Sequence, residues 1–109
     1  MQITITARHV SVSEEIKQYA RDKSEKLLRF YDRIQAIRVV IDYEGDEFTV
    51  EMIVNAGSRN EFVAHETGSD THVLIDVTVD KLERQLTKHK ERLRNRMHLS
   101  KKPPAPDTD

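Results

Sequence analysis

The 109-residue chain has no cysteine, which removes disulfides and thiol chemistry together and fits a reducing compartment. No apolar run approaches the roughly 18 to 20 residues needed to span a bilayer. The N-terminus opens directly into an alternating pattern, without the apolar stretch of a signal peptide. A cytoplasmic protein with no membrane partner is expected. Gly-rich phosphate loops, a nucleophile elbow and a supported carboxylate pair are also missing. Of the five histidines, His65 with Glu66 opens like a zinc-protease motif. Ser69 stands where the second ligand must be, and Gly68 disfavours a helix there, so the match fails. His65 and His72 could share a metal only if a strand end folded back on a helix start. The expectation is no catalytic residue, no metal, no cofactor and no small-molecule substrate.

Charge is what the chain has in quantity, and its distribution matters more than its total. The formal net charge is −1. Lys81 to Lys102 holds nine Lys or Arg against two Glu, a balance of +7, whereas Met1 to Asp80 holds nine against fifteen Asp or Glu, a balance of −6. The tail Pro103 to Asp109 adds −2. Such a chain is a strong dipole whose basic part suits a polyanion.

That basic part is one long helix. At about 100° per residue, Ile75, Val79, Leu82, Leu86, Leu93 and Met97 form an apolar stripe interrupted only by His89. Opposite it run Lys81, Arg84, Lys88 and Arg92, continued by Asn95 and Arg96. Asp70 caps the N-terminus, and the cations gather toward the C-terminus, both in keeping with the helix dipole. Some cations have acids at helical spacing: Asp80 for Arg84, and Glu91 for Lys88 or Arg94. Lys81, Lys90, Arg92 and Arg96 have none, so a surplus is left. A hydrogen-bonded core histidine is the simpler account of His89, ahead of a ligand or an RNA contact.

Upstream, Met1 to Ala7 alternates as a half-buried strand. Ser11, which with Glu14 would form a capping box, and Ser13 are both candidate N-caps for a helix to about Tyr31. Its seam is Ile16, Ala20, Leu27 and Phe30 or Tyr31, with Lys23 where an apolar residue is expected. Either the Lys23 stem packs with its ammonium at the edge of the core, or the ammonium joins the cations of the last helix. Ala36 to Tyr43 and Phe48 to Asn55 read as strands joined by Glu44-Gly45-Asp46-Glu47, and a third strand spans Glu61 to Thr67. Short connections make these three antiparallel neighbours; the crossover helix lays the first strand parallel to the second. The fold expected is α+β, β-α-β-β-β-α, a four-stranded sheet with both helices on one face. Residues 1–100 make one domain, and 101–109 a disordered Pro-rich acidic tail.

Without aromatics interleaved among the cations, base-by-base readout of single strands is disfavoured. Shape and phosphate recognition of folded RNA fits better.

Lys81 to Leu93, KLERQLTKHKERL, resembles the C-terminal helix of the ribosome hibernation-promoting factors, a family also described as ribosome-associated inhibitor or sigma-54 modulation proteins. The opening MQITITA agrees, as do Ser13 as N-cap, Lys23 and Lys26, Tyr31-Asp32-Arg33-Ile34, and Asp70 with Ile75-Asp76; the likeness covers residues 1 to 96. It implies a fold similar to double-stranded-RNA-binding domains. It further implies binding of small-subunit rRNA in the channel between head and body, across the tRNA and mRNA path, keeping resting ribosomes inactive. The rRNA-binding residues it implies are Lys23, Lys26, Lys81, Arg84, Lys88, Lys90 and Arg92. His72 departs from the pattern, standing where the family commonly has Tyr. The chain resembles the short form, which lacks an appended dimerisation domain; pairing of ribosomes would fall to a separate dimerising factor. Two other readings stay open: an RNA-binding module outside the ribosome, and a regulatory protein-interaction module acting through the acidic surface of residues 1 to 80.

Overall fold

The structure, a computed structural model, describes residues 2–57 and 59–98, and side chains as far as Leu93. Met1, the side chains of Asn95, Arg96 and Met97, and the expected tail at 101–109 lie outside the described residues. The elements are β1 (Gln2–Arg8), α1 (Glu14–Phe30), β2 (Ile34–Glu44), β3 (Glu47–Ala56), β4 (Asn60–Gly68) and α2 (Thr71–His98). This is the β-α-β-β-β-α order expected from the alternation and spacing.

The sheet runs β1-β2-β3-β4, with β1 parallel to β2 and the other pairs antiparallel. Alternation along each strand sends one set of side chains inward: Ile37, Val39 and Ile41 from β2, Val50, Met52 and Val54 from β3, and Ala64 from β4 are buried. Ile3 lies beside Ile37 and Ile5 beside Val39, so β1 joins the same face. The β2–β3 hairpin closes tightly because Gly45 and Asp46 both take positive φ, 63° and 67°, as a two-residue turn matched to strand twist demands.

Both helices cover the inward face. For α1 the cap is Ser13, whose Oγ accepts from the Ile16 N–H at 3.2 Å; Ser11 is not the cap. Asp70 Oδ1 accepts from the N–H groups of His72 and Val73, at 3.0 and 3.4 Å, and starts α2. Of the apolar stripe of α2, Ile75, Val79, Leu82 and Leu86 are buried, each contributing about 1.5–3 kcal/mol over an exposed position; Leu93 is half-buried. Two hydroxyl residues share the core, Ser24 on α1 and Thr78 on α2. Each donates to the carbonyl one turn back, Ala20 and Leu74, at 2.7 Å, so neither is buried without a partner. Gly68 lets the chain turn closely into α2, since a Cβ there would sit 3.2 Å from Leu74 Cδ2.

Side chains from the helices also reach the outer strands. Gln85 Nε2 donates to the Val63 carbonyl at 3.0 Å, and Lys81 Nζ lies 3.5 Å from the His65 carbonyl. On the other border Arg21 Nη1 lies 3.5 Å from the Ile3 carbonyl. Among the described residues, no helix is long and apolar enough to cross a membrane.

Candidate nucleic-acid interface

The helix layer holds all seven cations expected to face RNA, but not in one row. On α2, at about 100° per residue, Lys81, Lys88 and Arg92 project within about 40° of one another, toward β4, with Arg84 beside them on the outward ridge. Lys90 projects about 160° from Lys88, toward α1. Lys23 and Lys26 rise from α1 into the crevice between the helices. The result is two lanes of positive charge flanking the ridge of α2.

In the crevice lane, Lys23 Nζ lies 3.5 Å from Asp76 Oδ1 and 5.5 Å from the centre of the Tyr19 ring. Its stem packs and its head meets an acid of the last helix, which explains a lysine in an apolar seam. Lys26 Nζ lies 3.5 Å from Glu83 Oε2. Lys90 Nζ donates to the Phe30 carbonyl at 3.1 Å and sits 4.9 Å from the Phe30 ring centre. A cation here complements the C-terminal end of α1. It also brings that end, with exposed Arg29 and Arg33, alongside the basic half of α2. Neither arginine was among the expected seven; the basic last turn of α1 signals Arg29, whereas Arg33 lies in the turn before β2.

In the outer lane, Lys81 pairs with the Glu66 carboxylate on β4. Counting along its own helix leaves Lys81 without an acid; the sheet supplies one. Conversely, Asp80 and Arg84 form no ion pair among the described residues, although their spacing allows it, and Arg84 is exposed. Lys88 and Arg92 are exposed. The Lys23, Lys26 and Lys81 pairs are all partly open to solvent, so each contributes at most about 1 kcal/mol. Pairs this weak orient an ammonium yet release it readily to a phosphate.

His72 and His89 take structural places. His72 sets its ring edge-on to Tyr19, centroids 4.6 Å apart, so the aromatic contact is kept where the family pattern has Tyr. His72 Nε2 also lies 3.9 Å from Glu15 Oε2. His89 is half-buried between the rings of Tyr31 and Phe62, at 5.8 and 5.3 Å, with Nε2 3.4 Å from Asn60 Nδ2. The ring packing and hydrogen bond expected on the seam are present, but the ring is half-buried at the edge of the core rather than within it. His65 points to the open face of the sheet, opposite the face that α2 and His72 cover. Among the described residues, no group of three His, Asp or Glu is placed to hold a metal.

Sequence reasoning missed the clasp between the helices: the Tyr19 hydroxyl donates to Asp76 Oδ1 at 2.7 Å. That bond, helped by burial, pushes the phenol up to about 12.

Residues 3–94 match the family described as sigma 54 modulation protein / S30EA ribosomal protein. A ribosome hibernation promoting factor of Escherichia coli (strain K12) is 38% identical over 96 residues, covering 86% of this chain and 98% of that protein. Its counterpart in Azotobacter vinelandii is 34% identical over 92 residues, covering 84% and 85%. Among solved structures, a ribosomal subunit interface protein from Coxiella burnetii superposes with a TM-score of 0.75 at 25% identity, covering 84% of this chain and 99% of that one. The Thermus thermophilus Protein Y N-terminal domain gives 0.72 at 25% identity, covering 82% and 99%.

Proposed function

Because the chain belongs to the sigma 54 modulation protein / S30EA ribosomal protein family, we propose that it is a ribosome hibernation factor. On this reading it binds small-subunit rRNA in the tRNA and mRNA channel and keeps resting ribosomes inactive. The relatives named for ribosome hibernation and for the ribosomal subunit interface support the ribosome as target. The observation that carries the RNA side is the pair of cation lanes on the helix layer, with Lys81, Arg84, Lys88 and Arg92 outward and Lys23, Lys26 and Lys90 in the crevice.

The mechanism is steric and electrostatic; no bond is made or broken. The sheet fixes two packed helices, so the ammonium and guanidinium heads are presented at set spacings to the phosphates of folded rRNA. Phosphate contacts position the domain without reading sequence, and its bulk then excludes tRNA and mRNA. With about five phosphates neutralised, log K falls with log salt at a slope on the order of −3 to −5.

Sedimentation of the purified protein with separated small subunits, large subunits and intact ribosomes tests this. The expected result is retention with the small subunit and the intact ribosome, lost as salt rises. Absence from every ribosomal fraction at low salt would overturn it.

A further inference from the structure

Among the described residues, nothing packs on the face of the sheet turned away from the helices. Its outward side chains follow from the register. Arg38, Ile53 and Val63 form one row across β2, β3 and β4; Val40, Glu51 and His65 form the next. Val40, Ile53 and Val63 therefore make a diagonal apolar strip, and Val63 is 41% exposed. The same parity places Asp42, Glu44, Glu47, Glu51 and Glu61 on this side. Against these five carboxylates the face has the guanidinium groups of Arg8 and Arg38, both on the β1 side, and the His9 ring, which holds Asp42 at 2.8 Å and leaves the four glutamates as the acids without a cation among the described residues. The strip is thus bordered by net negative charge, on the side opposite the cation lanes.

We propose that this open sheet face is a docking surface for a basic protein segment, one that lays an apolar side chain on the Val40–Ile53–Val63 strip while its Lys or Arg groups meet the surrounding carboxylates. Charge complementarity selects this occupant. RNA would bring phosphates against five carboxylates, and a second copy meeting face to face would oppose acid with acid. The assignment rests on the helix layer being the RNA side: with rRNA on α1 and α2, the acidic face points outward, free for protein. An isolated strip of this size suits a weak contact, one that adds to a complex already held by RNA.

The test is an amide NMR titration of the full chain with three probes of defined composition: a ten-residue peptide alternating Lys and Val, one of equal length alternating Lys and Gly, and a short RNA duplex. The Lys–Val peptide is expected to shift the amides of Val40, Glu51, Ile53 and Val63 and to bind about tenfold tighter than the Lys–Gly peptide. The duplex is expected to shift α2 instead. Glu51→Lys combined with Ile53→Thr should weaken the Lys–Val peptide at least tenfold and leave the duplex shifts in place. Failure of the Lys–Val peptide to bind, equal binding of the two peptides, or shifts centred elsewhere would overturn the proposal. So would shifts of these same amides by the duplex, or by raising the protein concentration alone, which would make the occupant RNA or a second copy. Ribosome sedimentation reads the helix layer and this titration reads the sheet, so either reading can fail alone.

Discussion

Tyr19 and Asp76 lie 57 positions apart in sequence, and a 2.7 Å hydrogen bond from phenol to carboxylate clasps α1 to α2. Lys23 approaches the same carboxylate at 3.5 Å. The two helices that carry the cation lanes are thereby held in a fixed relation near their N-terminal ends.

Breaking that clasp should be measurable. Tyr19→Phe keeps the ring against His72 and removes only the bond, so urea unfolding should show a loss of about 1–1.5 kcal/mol, the low end for a bond to a charged group that is part-exposed. The phenol is raised from 10.0 to about 12. Its contribution is therefore complete below pH 10 and disappears as pH rises through about 12. Absorbance titration of the tyrosines should show one late-ionising group that the variant lacks.

Charge reversal in the outer lane should separate binding from folding. Lys88→Glu with Arg92→Glu changes exposed positions; unfolding should shift by no more than about 0.5 kcal/mol for each, whereas co-sedimentation with ribosomes should be abolished. Unchanged co-sedimentation would remove this surface from the proposed rRNA contact. Arg84→Ala should weaken binding by less and lower the salt slope by about 1.

At the far end of β1, His9 takes a positive φ of 60° and its Nδ1 lies 2.8 Å from Asp42 Oδ1. The bond and the charge of Asp42 raise the imidazole above 6.5, and the bond to His9 lowers the carboxyl below 3.8. For the histidine, stability is fully present below pH 6.5 and is lost as pH rises through its folded value. For the aspartate, it is present above pH 3.8 and is lost as pH falls through its folded value. The pair therefore holds the end of β1 best between these limits. Proton NMR should give His9 a midpoint above 6.5, and Asp42→Asn should return it toward that value.

Leu82 has no exposed surface, and it anchors α2 where the basic stretch begins. Leu82→Ala should cost about 2–5 kcal/mol in urea unfolding. Its effect on ribosome binding should follow the folded fraction rather than any change in salt slope.

The pattern of each element was legible because it depends on period alone. Alternation in β2 and β3 separates Ile37, Val39, Ile41, Tyr43, Phe48, Val50, Met52 and Val54 from their neighbours; all are buried except Tyr43 and Phe48, which are half-buried beside the turn. The stripe of α2 was equally plain. Two candidate caps for α1 stayed unresolved because Ser11 and Ser13 offer the same hydroxyl; the backbone enters the helix at Glu14, which selects Ser13. Less legible was the electrostatics. Glu66, Glu83 and Asp76 each meet a lysine from another element, and helical spacing sees only partners on the same helix. The division of the cations into two lanes was hidden for a related reason, since it depends on where α1 and β4 lie beside α2. Ser24 escaped notice because a small hydroxyl that bonds its own helix can occupy a seam like alanine.

The bonds from Gln85 and Lys81 to the carbonyls of Val63 and His65 matter beyond the fold. A bordering strand with bare carbonyls is a template on which other chains can extend a sheet, and the first step of such growth is a backbone donor reaching those oxygens. Here the helix has already supplied the donors. Lys81 does so with the group proposed to meet a phosphate, so RNA binding would draw it from His65. The border is then best masked in the free protein, where copies can meet. In the proposed RNA complex, the phosphates drawn to α2 would stand at the same border and take over the obstruction.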